Sequence, residues 1–275
     1  MFQNLRQLVR YRALIQSLVA RELKARYRGS VLGFFWSFVN PLLLLLVYSF
    51  VFAYVLKNTT KGLQPYPLFL FCGLLPWTWF SSSLLESSNV LISGGNLIKK
   101  VLFPAEVLPI VTVLANMVHF LLALPILAAF LVAYRAMGYP IVLTFGEMIW
   151  LPVVLLVQLV LTLGLALILS ALTVHFRDIR DILANLMTFW FFATPIIYPL
   201  LPGTGPVGEM PHFAQTLFDL NPFTHLAVSY QEILFYDGPF GHWRWLLALG
   251  LASVLLFLFG YFVFDRLRDS FAEEV

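Results

Sequence analysis

Six apolar runs, at about residues 31–56, 68–91, 106–133, 148–174, 183–200 and 243–264, constrain this chain more than any motif in it. The hydrocarbon core of a bilayer is about 30 Å thick and takes roughly 20 helical residues to cross. Inside it every backbone N–H and C=O needs an internal partner, which leaves the helix as the form for such runs. Composition agrees. Hydrophobic residues are 60% of the 275 and charged residues 11%, with mean hydropathy +0.87, against about 45–50% and 25% in soluble domains. The expected fold class is an all-α integral membrane protein with six transmembrane helices in a single domain.

Charge sets the sense of insertion. Residues 1–28 carry Arg6, Arg10, Arg12, Arg21, Lys24, Arg26 and Arg28, interleaved with Leu5, Leu8, Val9, Ile15, Leu18 and Val19 at roughly helical spacing. That pattern predicts an N-terminal amphipathic interface helix on the membrane surface. It is not a secretory signal, because the basic region is too long and no small-residue cleavage pattern follows the first apolar run. Only Lys57, Lys61, Arg135 and Arg244 fall outside in this topology, and the rest of the 17 Lys and Arg fall inside. The positive-inside bias is thereby satisfied with both termini in the cytoplasm. Nucleic-acid binding has no support, and the single cysteine, Cys72, excludes an internal disulfide or a cysteine-cluster metal site. The absence of an internal repeat argues against inverted-repeat secondary transporters.

Several residues punctuate the runs. Pro41 predicts a kink in the first span, and Ser93-Gly94-Gly95 ends the helix of the second. Residues 201–242 contain no run of spanning length but two short helical stretches, about 211–220 and 222–235, with Asn221-Pro222 supplying an N-cap and a first-turn proline. A 14-residue helix is only about 21 Å long, so re-entrant helices at the outer surface fit better than another span. Glu86, near the inner end of the second span, is expected to pair structurally by reaching water or Lys99. His119 reads as a hydrogen-bonded packing residue and Gln158 as the one strong polar group of the fourth span. His175 and Asp178 do not make a metal site, which needs three or four ligands.

Between the second and third spans lies Asn96-Leu97-Ile98-Lys99-Lys100-Val101-Leu102-Phe103-Pro104. Two lysines place it in the cytoplasm, while the leucine, isoleucine, valine and phenylalanine around them ask for a cover. Two readings stand: the lysines set topology, or the segment is a cytoplasmic helix that docks on another protein.

Residues 96–109, NLIKKVLFPAEVLP, resemble the coupling-helix region of type-2 ABC exporter permeases, in particular those that export lipid-linked polysaccharides. Residues 21–41, RELKARYRGSVLGFFWSFVNP, resemble that family's approach to its first span. Arg177-Asp178-Ile179-Arg180-Asp181 is similar to its second cytoplasmic loop. Thr194 to Pro199 and Asn221-Pro222-Phe223 are similar to its fifth span and the extracellular helix that follows. The resemblance implies a homodimer with two copies of a separate ATPase, the coupling helix at about 96–104 and the Arg177–Asp178 turn contacting it, in the cytoplasmic (inner) membrane of a bacterium. It implies no catalysis and no cofactor in this chain, with ATP and Mg in the partner; the phosphate-binding sequence Gly-x-x-x-x-Gly-Lys-Ser/Thr occurs nowhere here. The implied cargo is a polyprenyl diphosphate-linked glycan such as O antigen.

Two features are consistent with that cargo. Arg21, Arg26 and Arg28 present planar donor forks suited to lipid phosphate, although anionic-lipid anchoring and topology explain them equally. Trp36, Tyr48, Phe52, Phe189, Trp190 and Tyr198 offer flat faces to sugar rings in a glycan channel, the alternative being packing or interfacial belts. A type-2 permease for a drug or other lipid, an ion-coupled flippase and a membrane enzyme remain as other readings, the last two short of buried titratable groups.

Overall fold

The computed structural model describes residues 11–51, 65–95, 99, 104–139, 145–200 and 212–274, and these are helical with no strand. In chain order the helices are α1 Arg12–Arg26, α2 Trp36–Ser49, α3 Tyr66–Ser93, α4 Val107–Ala136, α5 Trp150–His175, α6 Ile179–Phe192, α7 His212–Leu220, α8 Pro222–Leu234 and α9 Trp243–Leu267. Among the described residues, four segments are long and apolar enough to cross a membrane: Tyr66–Ser93, Val107–Ala136, Gly146–His175 and Trp243–Ser270. Each lies within a few residues of an expected span, because polar turns bound the apolar run on both sides.

The first expected span is described only as far as residue 51, with helix α2 covering 14 residues of it; residues 52–64, which include Phe52, lie outside the described part. The fifth comes out shorter. Helix α6 is also 14 residues, about 21 Å, and stops at Phe192 where the sequence suggested residue 200. Pro195 is the reason. It carries no N–H to continue the ladder and disfavours helical geometry at Thr194, whose hydroxyl donates instead to the Trp190 carbonyl at 2.7 Å.

Over its first half, residues 66–80, helix α3 is apolar on nearly every side, and a helix of that kind belongs at the centre. It packs against α2, α4, α5, α6 and α8, with Phe69, Phe71, Trp79 and Phe80 wholly or almost wholly buried. Helix α8 lies at the end where α3 begins. There Tyr230 donates to Gln158 Oε1 at 2.8 Å, Gln158 Nε2 donates to the Pro76 carbonyl at 2.8 Å, and three helices are tied through one buried amide.

The most extensive pairing joins α5 to α9, and it depends on two glycines. A Cβ at Gly260 would lie 2.5 Å from the Gly164 carbonyl oxygen, and one at Gly164 would lie 2.9 Å from the Phe257 backbone. Small residues let membrane helices approach this closely. Gly260→Leu is expected to lower stability by about 3 kcal/mol, the upper part of the overpacking range, since backbone cannot step aside. The thermal midpoint in mild detergent checks this, against a milder loss for Gly250→Ala, whose Cβ would meet only Val157 Cγ2 at 3.2 Å.

Beyond α9 the tail returns to the bundle. Phe271 is fully buried against Phe264, Ser270 and His175 hydrogen-bond at 2.9 Å, and Arg268 lies 3.8 Å from the buried carboxylate of Glu106.

Candidate functional site

Arg26, at the end of α1, reaches across to α3 and α4. Its Nη2 donates to Glu86 Oε2 at 2.7 Å and its Nη1 to Asn116 Oδ1 at 3.0 Å, while Asn116 Nδ2 donates to the same Glu86 oxygen at 2.7 Å. The three side chains close a ring, so Glu86 pairs with Arg26 and not with Lys99. One layer deeper, the hydroxyls of Tyr27 and Ser37 lie 2.7 Å apart and 3.1 and 3.2 Å from His119 Nδ1. His119 is therefore hydrogen-bonded, as expected, but on one side only: its Nε2 is buried and has no hydrogen-bond partner among the described residues.

Two cavities meet at Arg26. One, about 600 Å³, is a groove between α2, α3 and α4 with walls that include Trp36, Leu44, Tyr48, Leu75 and Phe120. The other, about 690 Å³, has a mixed lining that includes the charged Glu22, Glu86, Arg180 and Asp181 beside Leu85 and Val90. The ring is the partition between an apolar compartment and a charged one.

The sequence-selected residues scatter around this point. Arg21 and Arg28 are exposed and Arg26 alone joins the ring. Of the docking segment, Lys99 is exposed and Pro104 buried. Asn96, Leu97, Ile98, Lys100, Val101, Leu102 and Phe103 lie outside the described residues. Arg177 and Asp178 are exposed in the turn between α5 and α6. Among the aromatics, Trp36 and Tyr48 line the groove. Trp190 is a packing residue whose indole N–H donates to Asn221 at 2.8 Å and whose ring meets Trp77 and Phe80. Phe189 is 75% exposed, and the Tyr198 hydroxyl donates to the Phe192 carbonyl at 2.8 Å. No group of three or more His, Cys, Asp or Glu able to hold a metal occurs among the described residues.

At the far end, His225, His242 and Trp245 stack. His225 Nε2 must donate to the Asp219 carbonyl at 2.9 Å, so its Nδ1 accepts from His242 Nε2–H at 2.9 Å. Glu232 takes the Gly241 and His242 amides and Glu147 the Phe240 amide. Burial first, and the neighbouring His225 second, push His242 down to about 4. A folded value below the unfolded 6.5 means that the unfolded chain takes up the proton first. Stability from this group is full above about pH 6.5 and is lost as pH falls toward 4. The loss approaches about 3 kcal/mol. His242→Asn is expected to flatten the fall of the thermal midpoint between pH 6.5 and 4 relative to wild type.

A chain with apolar helices of spanning length and a basic N-terminal helix hydrogen-bonded to the second and third expected spans invites comparison with known transporters. Residues 13–235 match the family described as ABC-2 type transporter. The chain belongs to the ABC-2 type transporter family. The O-antigen export system permease protein RfbA of Myxococcus xanthus is 41% identical over 275 residues, the whole of both chains. The protein of the same description from Klebsiella pneumoniae is 31% identical over 263 residues, 94% of each chain. The polysialic acid transport protein KpsM of Escherichia coli is 24% identical over 188 residues, 68% of this chain and 70% of that one. The family match on this ABC-2 chain spans α1 through α8, and so includes Arg26, Glu86, the 96–104 segment, Asn116 and His119.

Single-sequence reading missed the ring because its members are 30, 60 and 90 residues apart. The available signal was Asn116 and Glu86, each a strongly polar side chain in an apolar run.

Proposed function

We propose that this chain is the transmembrane permease subunit of an ATP-driven exporter that moves a polyprenyl-linked polysaccharide, O antigen or a similar polymer, across the bacterial cytoplasmic membrane. The observation that carries this is the 41% identity, end to end, with an O-antigen export permease. Two copies of the chain work with two copies of an ATPase subunit, as the likeness to O-antigen export permeases implies. Asn96 to Pro104, together with Arg177 and Asp178, contacts the ATPase and passes its motion to α3 and α4. Six spans place both termini in the cytoplasm, and α7 and α8 form re-entrant helices on the outer side. Arg21, Arg26 and Arg28 meet the lipid phosphate, and Trp36 and Tyr48 are the aromatics placed to meet cargo.

Purifying the tagged chain from its native membrane in mild detergent tests the reading. The expected companion is an equimolar protein carrying a phosphate-binding loop, with lipid-linked glycan co-extracted. Isolation of the chain alone, under conditions that keep other membrane complexes intact, would overturn it in favour of an ion-coupled flippase. An ATPase accompanied by a small lipid or drug and no glycan would leave a type-2 permease with different cargo.

A further inference from the structure

Residues 268–274 follow α9 directly, as one tight turn over Arg268–Ser270 and a four-residue helix over Phe271–Glu274. A helix of four residues has no stability of its own, so the groups it docks against hold it. Phe271 is fully buried in one cluster with Leu91 of α3, Ala105 and Leu108 at the start of α4, Ala171 and Val174 at the end of α5, and Phe264 of α9. Its ring centre lies 5.1 Å from that of Phe264 and 6.3 Å from that of His175. His175 grips the tail a second time, lying between the Ala171 carbonyl at 3.2 Å and the Ser270 hydroxyl at 2.9 Å. The third contact is Arg268 Nη1, 3.8 Å from Oε1 of Glu106, whose side chain is buried and whose Oε2 has no hydrogen-bond partner among the described residues.

Glu106 comes two residues after Pro104, where the docking segment ends, and His175 two residues before Arg177, where the second cytoplasmic turn begins. The tail touches both. We propose that residues 268–274 are a coupling clamp, which ties the two ATPase-contacting segments to each other and to α9, so that a displacement entering at 96–104 carries the α5–α9 pair along with α4. The clamp rests on the exporter reading and adds to it a third element of transmission. Helices α5 and α9 meet backbone to backbone at Gly164 and Gly260, so they shift as one body, and the tail hangs from the inner end of that body. One ring packed among residues of four helices resists sliding between them, because a close-packed interior transmits strain. Glu106 sits at the N-terminus of α4, where the helix dipole favours a carboxylate, and Arg268 is the cation beside it. Reversing the charge at position 268 sets two carboxylates against each other and opens the clamp at that point.

Two readouts test this on the full-length tagged chain with its ATPase: surface polymer in cells, and ATP hydrolysis by the purified complex. Arg268→Glu is expected to lower surface polymer about tenfold, within the range of roughly 5–150-fold usual for coupling between sites, while ATPase recovery and the rate of hydrolysis stay near wild type. Phe271→Ala should lower export further with hydrolysis again retained. In a Glu106→Gln background the Arg268→Glu change should cost no more than about threefold, since the like-charge contact is gone; misfolding cannot imitate that recovery. Export, recovery and hydrolysis falling in parallel would mark the tail as needed for stability alone and overturn the clamp. Full export by Phe271→Ala, or an equal loss from Arg268→Glu in both backgrounds, would overturn it too. In each of those cases the ATPase still accompanies the wild-type chain, and the exporter reading stands. A wild-type chain that brings no ATPase removes both.

Discussion

Replacing Lys99 and Lys100 together with glutamate is expected to abolish polymer export while the protein stays inserted in the membrane. Lys99 is exposed, Pro104 five residues later is buried, and α4 begins at Val107. On the exporter reading proposed above, two positive charges among Leu97, Ile98, Val101, Leu102 and Phe103 call for a partner surface that is apolar with acidic groups near it. Like charges brought together across an interface cost several kcal/mol. At 1.4 kcal/mol per factor of ten, two reversals lower affinity for the ATPase by a factor of more than about 100. Surface polymer by immunoblot, and the amount of ATPase recovered with the tagged chain, are the two readouts, and both should fall together. The Lys99→Gln, Lys100→Gln variant should lie between wild type and the reversal. Normal export by the glutamate variant would remove the coupling role. Loss of export with the loop found on the opposite face, by labelling of an introduced cysteine, would mean that the lysines serve topology only.

The reach of sequence reading differs between the helices and their contacts. Spans two, three, four and six were legible to within a few residues because apolar length is a one-dimensional property and polar turns mark its ends. The second of them was expected over 68–91 and runs Tyr66–Ser93. The fifth was overextended because Pro195 and Pro199 sit in a stretch that is still apolar by composition, and hydropathy is blind to a missing N–H. The N-cap at Asn221 was legible because Asn-Pro is a local signal, and its side chain does accept from the Phe223 amide at 3.0 Å. The ring of Arg26, Glu86 and Asn116 was not, because three helices have to be assembled before the residues meet. Lys99, the nearest lysine to Glu86 in sequence, suggested the wrong cation for the same reason. Among the aromatics, residue type carried no information on which ring faces a groove and which, like Trp190, is fixed in a buried cluster.

Asn221→Ala is expected to be among the most destabilising substitutions in the chain. An asparagine side chain has two acceptor sites and two donor hydrogens, and here all four are used. Its Oδ1 accepts from Trp190 Nε1 at 2.8 Å and from the Phe223 amide at 3.0 Å; its Nδ2 donates to the Ala193 carbonyl at 3.0 Å and to Thr194 Oγ1 at 3.0 Å. One residue thus caps α8 and closes the end of α6 where Pro195 has broken its ladder. Thr194 and Phe223 are fully buried, so water cannot replace the partner each loses, whereas the Ala193 carbonyl lies at an exposed residue. A lost cap costs about 1 kcal/mol and each orphaned buried group about 1–3 kcal/mol, which together give about 4 kcal/mol. Asn221→Asp separates the two halves of this account. Aspartate keeps both acceptors, and so the cap and the indole contact, but sets an oxygen against the Ala193 carbonyl with no hydrogen between them. If the donors matter as the geometry implies, Asn221→Asp should lose nearly as much thermal stability in detergent as Asn221→Ala. If only the cap matters, it should stay within about 1 kcal/mol of wild type, and α6 and α8 would then be held together by the packing of Trp77, Trp190 and Phe223 alone.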